Sequence, residues 1–121
     1  MILVVDDDAS IVGLVSLVLE REGYRVETAT NGVAAYGHIK SPDCNGMLLD
    51  ISMPKINGVE LLMLMQAEDI SVPTIVMSGF DDYDEKELKN FCNVVKYLQK
   101  PFDMDDMLRA VRKHAKPASC S

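Results

Sequence analysis

The feature of this chain that most restricts its fold is an alternation of two hydrophobic periods, each returning five times along 121 residues. Short apolar or β-branched runs read as strands at Ile2 to Val5, Arg25 to Thr28, Met47 to Leu49, Thr74 to Met77 and Val94 to Leu98. Segments with helical spacing follow each of them. Ile11, Leu14, Val15, Val18 and Leu19 form the first stripe, and Gly23 stands where a left-handed cap would end it. Val33 to Ile39 is a weaker second helix, ended before Pro42. Val59 to Ala67 is apolar almost all round and is expected to be largely buried. Asp84 to Phe91 carries acids in its first turn, where the helix dipole favours them. Met104, Met107, Leu108 and Val111 make the last stripe, with Asp103 placed as its N-cap and Lys113 and Lys116 suited to its C-terminal end. Short strands that are apolar on both faces and alternate with helices imply a parallel sheet covered on both sides, an α/β fold. One domain over residues 1–116 is expected, with 117–121 a frayed, disordered tail.

Charge narrows the partners. A net charge of −7 opposes contact with phosphate backbones, so no direct nucleic-acid binding is expected. No apolar run approaches the ~20 residues of a membrane span, and no basic leader precedes Ile2, so the expected location is cytoplasmic with no membrane contact. Cys44, Cys92 and Cys120 are odd in number and lack metal-site spacing, which argues against a disulfide framework or a zinc site. Cys92, among Leu88, Phe91 and Val94, reads as a core residue. His38 and His114 read as surface residues without a catalytic or metal role.

In open parallel sheets ligands lie beyond the carboxyl ends of the strands. Here the first strand ends in Asp6-Asp7-Asp8, the third in Asp50, the fourth in Ser78-Gly79, and the fifth is followed by Lys100-Pro101. Singly, each has an ordinary reading: a cap cluster, a turn residue, a plain turn, a solvated lysine. Jointly they bring acids, a hydroxyl and an amine to one edge. Crowded carboxylates are relieved by a hard divalent cation such as Mg²⁺ (or Mn²⁺), which would leave Asp50 free to attack a phosphoryl group. Ser78 and Lys100 would then hydrogen-bond or pair with its oxygens.

Val4-Val5-Asp6-Asp7-Asp8, the segment Leu48 to Pro54 with Asn57-Gly58, Ser78-Gly79, and Tyr97 to Phe102 resemble the CheY-like receiver domains of two-component response regulators. The resemblance runs from Ile2 to about His114. It implies a flavodoxin-like (βα)5 doubly wound sheet of order 2-1-3-4-5. It also implies that Asp50 is the phosphoacceptor and that Asp7 binds the metal directly, with Asp6 acting mainly through metal-bound water. The backbone carbonyl of Ser52 would complete the protein ligands. Ser78 and Tyr97 would be the switch pair, Lys100 the phosphoryl contact, and Lys100–Pro101 a cis peptide. Asp8 falls just past the acidic pair and reads as a helix cap.

The partners so implied are a sensor histidine kinase or phosphotransfer protein and an output partner or effector domain. Whether the face of the fourth helix, fifth strand and fifth helix also forms a homodimer is left open by the sequence. The chain would be a signalling switch that catalyses only its own phosphorylation and dephosphorylation. The competing readings are an aspartyl-phosphate-using phosphatase, disfavoured because Ser52 replaces the usual second acid, and a constitutive pseudo-receiver, disfavoured because no acid or lysine is missing. Several positions depart from the family pattern. Gly46 predicts an irregular start to the third strand. Asn93 stands where glycine is common and suggests tolerated left-handed backbone. Ser52 and Phe80 lack a group to orient water, which predicts slow loss of the phosphoryl group.

Overall fold

A computed structural model describes residues 1–51, 58–78 and 91–115. Five strands, β1 (Ile2–Val5), β2 (Val26–Ala29), β3 (Gly46–Asp50), β4 (Thr74–Ser78) and β5 (Val94–Gln99), form one parallel sheet in the order β2-β1-β3-β4-β5. Among the described residues four helices cover it: α1 (Ala9–Arg21), α2 (Gly32–Ile39), α3 (Gly58–Ala67) and α4 (Met104–His114). The helix expected from Asp84 lies, but for Phe91, outside the described residues, as do Lys116 and the 117–121 tail. No helix among the described residues is long and apolar enough to cross a membrane.

Period-two alternation in the strands divides the core in two. Leu3 and Val5 of β1, Met47 and Leu49 of β3 and Val76 of β4 pack with Ala35 and Ile39 of α2 and Leu61, Leu62 and Met65 of α3. Ile2, Val4, Leu48, Ile75 and Met77 point the other way, onto Val15 and Leu19 of α1 and Met107, Leu108 and Val111 of α4. β1, β3 and most of β4 are buried on both faces, which explains their unbroken apolar runs.

Local signals set the helix ends. The Asp8 carboxylate accepts from Ser10 N at 2.9 Å and opens α1. Asp103 does the same for Asp105 N at 2.9 Å and opens α4. Gly23, at φ 92°, closes α1, with Tyr24 N donating to Leu19 O at 3.1 Å.

Four expectations are corrected. Gly46 does not disturb β3: it pairs in register with Ile2. A Cβ at Gly46 would lie 3.2 Å from the Cβ of Ala115, so the missing side chain admits the end of α4. The irregularity falls instead between Thr74 and Ile75, where β5 skips Val95. Cys92 is exposed rather than core. Val94 N donates to Phe91 O at 3.1 Å, which makes Cys92 a central residue of a tight turn and points it outward while Phe91 packs inward. His38 and His114 are each half-buried, not surface residues. Asn93 is not left-handed either, since among described non-glycine residues only Asp69 has positive φ.

The Asn93 side chain is a clamp. Its Oδ1 accepts from Val72 N at 3.1 Å, and its Nδ2 donates to Ile70 O at 2.9 Å. Its main-chain oxygen accepts from Thr74 N at 2.7 Å. Asn93→Ala strips two of these bonds from partly buried main chain and is expected to cost about 1–3 kcal/mol by urea denaturation. An unchanged midpoint would refute the clamp.

Candidate functional site

The carboxyl ends of adjacent strands converge because the sheet order sets β1, β3, β4 and β5 side by side. Asp6 follows β1 and is fully buried, with its main-chain N donating to Ala29 O at 3.1 Å. Its Oδ1 accepts the main-chain N–H of Asp8 at 2.9 Å, and its Oδ2 accepts from Lys100 Nζ at 2.7 Å. Asp50 ends β3 at 3% exposure, and its Oδ2 lies 3.3 Å from the same ammonium. Asp7 is exposed. One carboxylate oxygen from each of Asp6, Asp7 and Asp50 lies within 4.8 Å of the others, a spacing open to one cation. The donor set is all oxygen and anionic, which suits a hard divalent ion such as Mg²⁺.

Lys100 is held by two opposing effects. Burial acts to lower its pKa. The hydrogen bond that it donates to Asp6 and the charges of Asp50 and Asp6 outweigh burial, so the ammonium is held above the ordinary lysine value. Its main-chain N donates to Ser78 O at 2.7 Å, which joins the end of β4 to the residue after β5. Ser78 is half-buried at that edge. The Lys100–Pro101 peptide is cis. Tyr97, opposite Val76, is half-buried against the α2–α3 side of the core. Ser52 and Phe80 lie outside the described residues. Asp8 is the α1 cap and takes no place in the carboxylate cluster.

One element of the site went unforeseen: Asp6 is a fully engaged acceptor. The Asp8 N–H reaching back to the Asp6 side chain is an Asx turn, and aspartates in succession after a strand are its sequence signal.

The model of the response regulator receiver domain family matches residues 2–112. The chain belongs to this family. It is 31% identical over 113 residues to sporulation initiation phosphotransferase F of Bacillus subtilis (strain 168), covering 93% of this chain and 91% of that protein. It is 32% identical over 119 residues to response regulator MprA of Mycobacterium avium (strain 104), covering 96% of this chain. The receiver spans about half of that relative, 52% of its length. Among solved structures, the receiver domain of Francisella response regulator 1452 superposes with a TM-score of 0.83 at 28% identity, covering 93% of both chains. A structure described as adenylate cyclase from Rhodopirellula baltica gives 0.81 at 29% identity, covering 93% of this chain and 84% of that one.

The Lys100 pair makes stability depend on pH in a definite direction. A raised folded-state pKa contributes stability that is complete below the unfolded lysine value of about 10.4 and is lost as pH rises through the folded value. Lys100→Met is expected to destabilise the receiver by on the order of 2 kcal/mol at neutral pH, because Asp6 and Asp50 lose their shared partner. Urea titrations of both proteins should show that gap narrowing above pH 10.4 or so. A gap of constant size across that range would contradict it.

Proposed function

We propose that this receiver is a phosphoacceptor switch in which Asp50 takes a phosphoryl group from a phosphohistidine of a sensor kinase or phosphotransfer protein. The observation that carries this reading is the Lys100 ammonium, 2.7 Å from Asp6 and 3.3 Å from Asp50, at the mouth of a three-carboxylate cluster. A carboxylate oxygen of Asp50 attacks phosphorus, the N–P bond breaks, and the donor imidazole leaves. The Lys100 ammonium turns from the Asp50 oxygen to a phosphoryl oxygen, and the Ser78 hydroxyl donates to another. Asp7, Asp50 and the Ser52 carbonyl, with Asp6 acting through water, would hold Mg²⁺, which when bound neutralises charge on the transferring group. The similarity to a protein named a phosphotransferase supports the chemistry. The chain catalyses only its own phosphorylation and dephosphorylation, since position 52 carries Ser where a phosphatase needs an acid.

The new charge is read out on the face of β5 and α4, by an output partner, an effector domain or a second copy. Ser78 is drawn toward the phosphoryl group, and Tyr97 takes the space it leaves. Phosphorylation biases this face only through its differential affinity for the two arrangements. The net charge of −7 opposes direct contact with nucleic acid, and the location proposed is cytoplasmic.

Incubation with Mg²⁺ and acetyl phosphate is expected to add one phosphoryl group by intact mass, cleaved by hydroxylamine as an acyl phosphate is. Asp50→Asn should abolish it, and labelling that survives this substitution would overturn the assignment. Mg²⁺ alone should raise stability by about 2.7 kcal/mol at a hundredfold excess over its Kd. Asp7→Asn should remove most of that gain in a thermal melt, and an equal gain in the variant would exclude Asp7 as a ligand.

A further inference from the structure

The last turn of α4 gathers Arg112, Lys113 and His114. Arg112 pairs with Glu22 at the end of α1, at 2.9 Å. Lys113 and His114 line a groove of about 680 Å³ between α4 and β5, together with Lys96 of the strand. Neither lysine makes an ion pair among the described residues. The acids of that groove, Asp103 and Asp106, lie at the other end of α4, and Asp106 is already paired with Arg109. His114 also lines a narrow crevice with Ile2 of β1, Gly46 and Leu48 of β3 and Ile75 of β4. No other residue lining that crevice titrates, so among the described residues the charges facing the ring are those of Lys96 and Lys113.

Just past the ring the chain closes onto the sheet. Ala115 N donates to Val111 O at 2.9 Å, and a Cβ at Gly46 would lie 3.2 Å from the Cβ of Ala115. Ala115 is half-buried against the core cluster that holds Ile2, Leu48 and Val111. The half-buried imidazole thus stands between two like charges and an apolar crevice. A neutral ring fits there, whereas an imidazolium would lose solvation and meet both ammonium groups with no acid at hand. The helix dipole favours a cation at this end, but Arg112 and Lys113 already supply it.

We propose that His114 is a proton-sensitive latch on the end of α4. Its neutral ring keeps the last turn and Ala115 against β3. A proton taken from solvent puts a third charge beside Lys96 and Lys113, and the turn loosens. Gly46 opens β3 and Asp50 closes it, so the latch acts at the far end of that strand from the carboxylate cluster and needs no phosphoryl group. Burial first, and then the charges of Lys113 and Lys96, hold the imidazole below its ordinary value. A depressed folded-state value contributes stability that is complete above the unfolded histidine value of about 6.5 and is lost as pH falls from there through the folded value.

The test follows the full chain, labelled with ¹⁵N and with ¹³C in its histidine rings, by NMR from about pH 7.5 to 5. The His114 ring is expected to titrate below its ordinary value, with the amides of Gly46 and Ala115 shifting at the same midpoint. Hydrogen-exchange protection of the Ala115 amide should be lost over that range while β1 and β3 stay protected. His114→Gln should keep Ala115 protected throughout. Lys96→Gln combined with Lys113→Gln, which leaves the ring in place, should move its midpoint upward. A ring that titrates at or above the ordinary value overturns the proposal, as does a midpoint unmoved in the double Gln variant. So does Ala115 protection that survives protonation of the ring, or that is lost equally in His114→Gln.

Discussion

The arrangement hinges on one ammonium group placed between two buried carboxylates. Asp6 is fully buried and Asp50 nearly so, and two carboxylates packed so closely repel each other unless a cation lies between them. Lys100 supplies it from 94 positions further along the chain than Asp6. The contact exists only if β1, β3, β4 and β5 are adjacent and in register, because Asp6 follows β1, Asp50 ends β3 and Lys100 follows β5. The fold and the site are therefore one constraint. A slipped strand would bury a carboxylate without its partner, at a cost of several kcal/mol.

The same constraint gives the site mechanical continuity with the surface. Lys100 is tied through its main chain to Ser78 O, and Ser78 pairs with Gln99 across the ladder. A force on the Lys100 ammonium is thus felt at the ends of both β4 and β5. From there β5 runs back through Tyr97 to Lys96, both of which line the groove against α4. Under the proposed phosphorylation of Asp50, this strand would be the covalent path from the site toward that groove. Such coupling changes populations only as far as the two arrangements differ in their contacts with the new charge.

Much of this was legible in the residues, and what was not has physical causes. The doubly buried strands announced themselves as unbroken apolar runs, and Asp8, Asp103 and Gly23 marked helix ends by chemistry that acts within a few residues. The convergence of Asp6, Asp7, Asp50 and Lys100 followed from their common place at strand ends. Local reasoning failed where a distant partner decides the outcome. Gly46 looked like a weak strand residue, but what it accommodates is Ala115, nearly seventy positions away. Asn93 looked like a substitute for a flexible glycine, but its amide bonds Val72 and Ile70. Cys92 was misjudged because apolar neighbours in sequence were taken for neighbours on a face, a rule that fails in a turn. The engagement of both Asp6 oxygens needed the Asx turn, which a reading focused on metal ligands passed over.

The edge position of β5 sharpens the meaning of Lys96. An edge strand leaves main-chain groups open to another chain, and a bulge and a lysine are common protections. Val95, skipped in the pairing with β4, and Lys96 beside it fit that description. That placement carries a cost, since Lys113 brings a like charge near Lys96 and like charges raise each other's electrostatic energy. Here Lys113 and His114 are brought toward it by the packing of α4, and the acids of that helix sit at its opposite end. The helix dipole favours that polarity along α4 but is indifferent to where β5 places its lysine. Protection of the edge accounts for the presence of Lys96, and the packing of α4 for the nearness of Lys113 and His114.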